Sequence, residues 1–395
     1  MKSIKTLMAG LLALSAASIA DAQTVVHITG STAFRAATVT AITHILQPGF
    51  TYGYAGSSFT GANQAIFTGH TITNNISVII KTSWSGSVGG VQTVSQQLPV
   101  STWLTNTTPQ STGGTSGAPA VYDPPAVPEV CMSDVYQSST PYATPALTES
   151  IVGIVPFEFV RNNGAPATLT NLTPNLAQAM WLNGSLPLAL FTGSPSDEGT
   201  RVFATGRDAD SGTRMTAFAE TGVGVFTAVE QYVPTNSSGA IISRTAAGPV
   251  AGQKFYPAET INGIFYDVGQ GGYSSGGDLA VAMEQTTGAA LGGYYVTYLG
   301  LSDANTAISG GAAPIMWNGV AYSPTAVEEG QYTFWGYEHL DYRSNYGTLD
   351  ANGQAVADQL AGQILGTDAV ASSGLLLSSM RVSRPTDGGL VTPNY

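Results

Sequence analysis

The tightest constraint on this chain is a stretch near its middle, Gly206-Arg207-Asp208-Ala209-Asp210-Ser211-Gly212-Thr213-Arg214. A strand-like apolar run, Arg201-Val202-Phe203-Ala204-Thr205, precedes it, and a helix-like run, Met215-Thr216-Ala217-Phe218-Ala219-Glu220, follows. Ser211 suits the N-cap of that helix, its hydroxyl accepting from a backbone N–H of the first turn. Gly212 lets the backbone approach a ligand closely, and Thr213 adds a second hydroxyl. The charge is unusual. Acidic side chains suit a helix N-terminus, which carries roughly half a positive charge, yet here Arg207 and Arg214 crowd it. A bound anion resolves the conflict, because free N–H groups at a helix N-terminus hold phosphate-like groups. A capped surface helix with two solvated arginines is the plainer alternative.

The same pattern recurs. Thr24-Val25-Val26-His27-Ile28-Thr29 reads as a strand, Gly30-Ser31-Thr32-Ala33-Phe34 as a turn, and 35–46 as a helix with its apolar residues on one face. A strand over 76–80 leads into Ser83-Trp84-Ser85-Gly86-Ser87-Val88-Gly89-Gly90, with a polar helix expected over 91–98. Residues 130–134 read as a short buried strand ending in Ser133-Asp134. The strongest β-run, 151–160, is a candidate to cross between domains. A helix over 172–182 has Thr173 as cap and Pro174 as first helical residue. Strands and helices keep alternating through 299, and 355–365 reads as helical. Such alternation argues for α/β units, and 395 residues leave room for two domains. Residues 101–128, rich in Thr, Ser, Gly and Pro without a period, read as a mobile surface insertion.

The chain opens with Met1-Lys2-Ser3-Ile4-Lys5, an apolar run over 7–19, and Ala20-Asp21-Ala22. That predicts a signal peptide over 1–22, cleaved before Gln23, and a soluble periplasmic or secreted product. The formal net charge of −12 argues against nucleic acid or acidic membrane as partner. It leaves a small anion open, because local N–H dipoles and a single Arg outweigh distant, screened surface charge. Cys131 is the only cysteine, so no intrachain disulfide can form and a buried free thiol is expected. The four histidines, His27, His44, His70 and His339, are scattered without ligand spacing, and no metal site is expected. Ser31 and Ser211 lack a paired base, and no glycine motif for nucleotides is present. The aromatic run 332–337 reads as buried packing.

In open α/β sheets, ligands bind where strand ends meet helix N-termini. Three Gly/Ser/Thr turns, 30–34, 86–92 and 211–214, would surround an oxyanion with N–H and O–H donors, and Arg207 would add a charge-assisted fork. In content and order these elements resemble the phosphate-binding members of the periplasmic substrate-binding proteins of ABC transporters. The resemblance rests on Gly30-Ser31-Thr32-Ala33, Gly86-Ser87-Val88-Gly89-Gly90-Val91, Ser133-Asp134 and 207–213, with Asn171-Leu172-Thr173-Pro174 and Trp181-Leu182-Asn183-Gly184 between. It spans 24–340, and its most specific element is Arg-x-x-x-Ser-Gly-Thr.

The resemblance implies an α/β, two-lobed periplasmic binding protein fold of type II, each lobe a mixed sheet flanked by helices, joined by a two-strand hinge. Lobe 1 would take 23–155 plus 330–395, and lobe 2 would take 156–329. It implies a monomer, without cofactor or bond chemistry, that hands inorganic phosphate to the permease subunits of an ABC importer. It also implies roles. Thr32 donates its hydroxyl, Ala33 its backbone N–H, and Ser87 its hydroxyl. Arg207 supplies the fork, and Ser211, Gly212 and Thr213 the helix N-terminus. Asp134 accepts the proton of hydrogen phosphate, which favours phosphate or arsenate over sulfate. One departure stands out. The family commonly orients its Arg with an acid two residues on, but that place is Ala209, flanked by Asp208 and Asp210. Low charge, abundant Gly, Ser and Thr, and the 101–128 insertion motivate a different function: a surface or extracellular matrix protein on the same fold, its anion site structural or lost.

Overall fold

The computed structural model describes residues 23–394; the expected signal peptide, 1–22, lies outside the described residues. Helices of nine residues or more are numbered here. The chain begins with β1 (Thr24–Gly30), α1 (Arg35–Ile45), β2 (Thr51–Tyr54), β3 (Gln64–His70), β4 (Ser77–Ser83), α2 (Ser87–Ser95) and β5 (Val130–Ser133). A 15-residue strand, β6 (Leu147–Arg161), follows. Then come β7 (Asn171–Leu172), α3 (Pro174–Asn183), β8 (Ser185–Pro187), β9 (Arg201–Ala204) and α4 (Gly212–Thr221). Two hairpins, β10 (Tyr232–Thr235) with β11 (Gly252–Phe255) and β12 (Glu259–Ile261) with β13 (Ile264–Tyr266), precede α5 (Gly276–Glu284). Then follow β14 (Gly293–Gly300), α6 (Leu301–Ser309), β15 (Ala313–Trp317), β16 (Trp335–Arg343), α7 (Ala351–Gly366) and a last antiparallel pair, β17 (Val382–Ser383) with β18 (Thr392–Pro393).

The main sheet runs β2-β3-β4-β1-β5-β16-β6-β14-β9-β8, with β15 pairing both β6 and β7. Its organising strand is β6. Residues 147–156 pair antiparallel with β16, and 157–161 pair antiparallel with β14. One strand therefore serves two half-sheets. Its continuous apolar run follows, since Val152, Ile154, Phe157, Phe159 and Val160 are all buried and a strand covered on both faces loses its alternation. The chain crosses back beside it, where Phe157 N donates to Phe334 O at 3.1 Å and Tyr332 Oη to Phe157 O at 2.8 Å. Helices cover the sheet, giving a mixed α/β fold with two lobes. A large apolar core runs through both halves, and a second one gathers around Leu279, Tyr295 and Leu299.

Local chemistry sets the helix ends. Thr173 Oγ1 accepts from Leu176 N at 3.3 Å to start α3, which stops at Gly184 in the left-handed region. The aromatic run is buried as expected, with Tyr332, Phe334 and Trp335 fully covered. Cys131 is a buried free thiol.

Two expectations are corrected. The second helix starts at Ser87, not Val91. Gly89 and Gly90, read as part of the turn before it, lie inside this helix, and other chain segments pack close to them: a Cβ on Gly90 would sit against the Gly30 backbone. The 101–128 segment is not loose. Trp103 and Leu104 are fully buried, Trp103 Nε1 donates to Ala126 O at 3.1 Å, and Lys81 pairs with Asp123. Backbone bridges from Ser111 and Thr115 to Tyr52 and Gly53 fasten it along β2. Among the described residues, no helix is long and apolar enough to cross a membrane.

Candidate functional site

Strands β4, β1 and β5 are parallel neighbours, so the turns leaving them emerge at one edge. Backbone bonds tie those turns together: Gly86 N to Gly30 O and Ser31 N to Met132 O, both 2.8 Å. From the other half-sheet the segment after β9 and the start of α4 arrive opposite. Val88 N donates to Asp210 O at 3.0 Å, and Thr216 Oγ1 to Asp134 O at 3.3 Å. Between the two sets lies a small pocket lined by Thr32, Ala33, Gly86, Ser87, Asp134, Arg207, Ser211, Gly212 and Thr213. All eight residues singled out in the sequence meet there, and Gly86 joins them.

Two glycines permit the approach. Gly86 has φ +108°, and a Cβ on it would sit against the Asp210 carbonyl. A Cβ on Gly212 would sit against Asp134 Oδ1 and Ser87 Oγ. Any larger residue would hold the walls apart. Ser211 caps α4 as expected, its Oγ accepting from Arg214 N at 3.2 Å.

Asp134 is the hub. Its carboxylate accepts from Ser87 Oγ and, at 3.4 Å, from Thr213 Oγ1, so it touches both walls. Burial pushes it up to about 6, against the pull of its own backbone hydrogen bond, of Arg207 and of Thr213. Near neutral pH it is an ionised acceptor in a dry site.

Arg207 is buried, and it is held by carbonyls: Nε donates to Tyr273 O at 2.9 Å and Nη2 to Ser274 O at 3.0 Å. Neither flanking acid orients it. Asp208 Oδ1 accepts from Asp210 N, and Asp210 accepts from Asn262 Nδ2. Burial raises both carboxyls, Asp208 to about 7 and Asp210 to about 6. Asp303, on α6, and Arg207 Nη1 both flank Gly276, so the acid coupled to the guanidinium comes from α6 rather than from a flanking residue. Burial raises Asp303 while Arg207, Arg35 and Arg244 draw it down.

Tyr273, Ser274 and Asp303 had no local sequence signal, because they reach the site from the segments before α5 and after β14. Arg214 does not point into the pocket. Its Nη1 donates to Arg207 O and Gln270 O, both 2.9 Å, and its guanidinium lies over the Phe218 ring. It braces the backbone that carries Arg207. A roomier cavity of about 290 Å³ lies on the other side of the 208–214 segment, walled by Val88, Met215, Val225 and Ile264. Its walls are mostly apolar, so the converging donors belong to the smaller pocket.

No protein-family model matches the sequence, and no curated protein matches it. Solved structures do. An ABC-type phosphate transport receptor from Vibrio cholerae superposes with a TM-score of 0.50, covering 89% of this chain and 100% of its own at 12% identity. A protein from Clostridium perfringens, assigned as a phosphate ABC transporter substrate-binding protein and carrying bound phosphate, gives 0.49 over 89% and 99% at 12% identity. PstS from Borrelia burgdorferi gives 0.42 over 89% and 98% at 13%. Several structural neighbours are thus phosphate ABC transporter substrate-binding proteins. At such identity the likeness shows the fold, that of two-lobed periplasmic binding proteins.

Proposed function

We propose that this chain is an exported solute-binding protein that captures inorganic phosphate between its lobes and delivers it to an ABC-type importer. The pocket carries the proposal: O–H, N–H and guanidinium groups from both half-sheets converge with one carboxylate on a single buried point. Thr32, Ala33 and Ser87 face the anion from one side. Arg207, Ser211, Gly212 and Thr213 face it from the other. Asp134 accepts the P–O–H proton, a role for which an ionised buried carboxylate is suited. Arsenate carries an equivalent proton. Sulfate carries none near neutral pH, so it leaves two unpaired acceptors in contact.

Contacts to both walls exist only when the lobes are together, so the ligand favours the closed state. We place the lobes at 23–155 with 330–395 and at 156–329, hinged where β6 changes partner and where the chain returns to β16. Residues 1–22 are taken as a removed export signal, and the mature protein as a monomer acting outside the cytoplasm. Calorimetric titration of the 23–395 chain tests the function. The expected outcome is saturable one-to-one phosphate binding, with sulfate at least roughly 10⁴-fold weaker. No heat at millimolar phosphate would sink it and would favour a surface or matrix role for the same fold.

A further inference from the structure

A second polar cluster lies away from the pocket, in the middle of the sheet. Strand β16 runs between β5 and β6, and its residue Asp341 pairs with Cys131 on one side and Glu149 on the other. Two residues earlier, His339 pairs with Ser133 and Ile151. Glu149, His339 and Asp341 each offer a ligand atom, and these atoms all lie within 4.8 Å of one another. His339 Nδ1 is 3.9 Å from Glu149 Oε1. The helix α2 packs over β5 and β16.

The state of these side chains is what distinguishes the cluster from a solvated acidic patch. His339 and Asp341 are fully buried. Both ring nitrogens of His339 and both carboxylate oxygens of Asp341 lack a hydrogen-bond partner. Burying so many unpaired polar atoms in a sheet interior is costly, and a shared cation would engage one ring nitrogen of His339 and one carboxylate oxygen of Asp341. Glu149 is the solvent-facing member, with its side chain 31% exposed, so the cluster opens to water on one side. Its Oε1 accepts from Gln137 N at 2.7 Å, a fixing contact of the kind that orients metal ligands. The Tyr136 ring packs on His339 at 4.5 Å.

We propose that Glu149, His339 and Asp341 form a binding site for one divalent transition-metal ion of the Zn²⁺ type. The donor set fits: a neutral imidazole nitrogen and two carboxylate oxygens, whose two negative charges match the ion. Tetrahedral donors at about 2.1 Å from one ion stand about 3.4 Å apart, so the His339–Glu149 pair at 3.9 Å needs to close by about half an ångström and the widest pair, within 4.8 Å, by at most about 1.4 Å. The site is separate from the anion pocket. Sequence spacing hid it, because 149 and 339 become neighbours only through the antiparallel pairing of β6 with β16.

The test uses the whole 23–395 chain, stripped with a chelator in phosphate-free buffer and titrated with ZnCl₂, with CoCl₂ as an absorbing probe. The expected result is one equivalent of Zn²⁺ bound at about micromolar Kd or tighter, and visible cobalt bands. Glu149→Gln, at the solvent-facing position, should fold and bind at least about tenfold more weakly, and Asp341→Asn should lose the ion. Phosphate affinity should be unchanged in Glu149→Gln, which keeps this outcome distinct from that of the anion pocket. The proposal is overturned if wild type takes up no ion at about 100 µM Zn²⁺, or if Glu149→Gln binds as tightly as wild type.

Discussion

The two walls of the candidate pocket differ in kind. The wall built from the turns after β1, β4 and β5 offers neutral donors, Thr32, Ala33 and Ser87, around the single carboxylate of Asp134. The wall built from 207–213 offers positive potential: the Arg207 guanidinium and the open end of α4. The first wall alone repels an anion. The second alone attracts any anion of the right size. On the proposed function, the second wall would supply attraction and the first choice, because an ionised Asp134 favours a guest that brings a hydrogen to the contact.

Breaking the first wall should produce the largest effect. Asp134→Asn removes the acceptor and adds a donor, so sulfate gains where it was repelled. The phosphate-to-sulfate affinity ratio, expected at roughly 10⁴ or more in wild type, should fall by at least about a hundredfold. Paired calorimetric titrations of both anions measure it. An unchanged ratio would show that selectivity does not reside in Asp134.

The second wall contains its own buried acids, and they act on stability. Burial raises Asp208 to about 7, above the unfolded value of about 3.9. Between those values the folded chain keeps a proton that the unfolded chain has released, so stability falls as pH rises from about 4 to about 7 and levels off above. A tenfold difference in proton affinity is worth about 1.4 kcal/mol, so this group contributes roughly 2–4 kcal/mol. Asp208→Asn cannot ionise and should reduce the stability difference between pH 4.5 and pH 7.5 by about that amount in urea unfolding. A slope identical to wild type would sink this account of the second wall.

How much of this was legible in the sequence follows the same division. Features carried by consecutive residues were readable: the strand–turn–helix at 30–34, the Ser211 cap, and the Arg207 to Thr213 stretch all sit where their spacing places them. Their convergence also followed, since parallel strands send their turns to one edge. Features made by distant backbone were not. The carbonyls of Tyr273 and Ser274 hold Arg207 without any side-chain signature. Gly89 and Gly90 read as part of the preceding turn, because their reason for being small lies on Asp210 and Gly30. The 101–128 segment has no period because bridges and two buried residues, Trp103 and Leu104, fix it rather than a regular element. In β16, aromatic neighbours masked His339 and Asp341, whose partner Glu149 lies on another strand.

The smallest effect tests whether the two walls are interchangeable. Arg207→Ala removes a charge-assisted donor and should weaken phosphate binding by about 1.5–3 kcal/mol, roughly 10- to 150-fold in Kd. Thr32→Ala on the facing wall removes a neutral hydroxyl and should cost only about 0.5–1.5 kcal/mol. Arg207→Lys separates charge from shape: it keeps the positive potential and loses the fork, so it should fall between wild type and Arg207→Ala. Arg207 also fixes two carbonyls, so thermal unfolding of each variant distinguishes lost binding from a loosened wall. If Thr32→Ala weakened binding as much as Arg207→Ala in equally stable proteins, attraction would be spread over both walls and the contrast between them would fail.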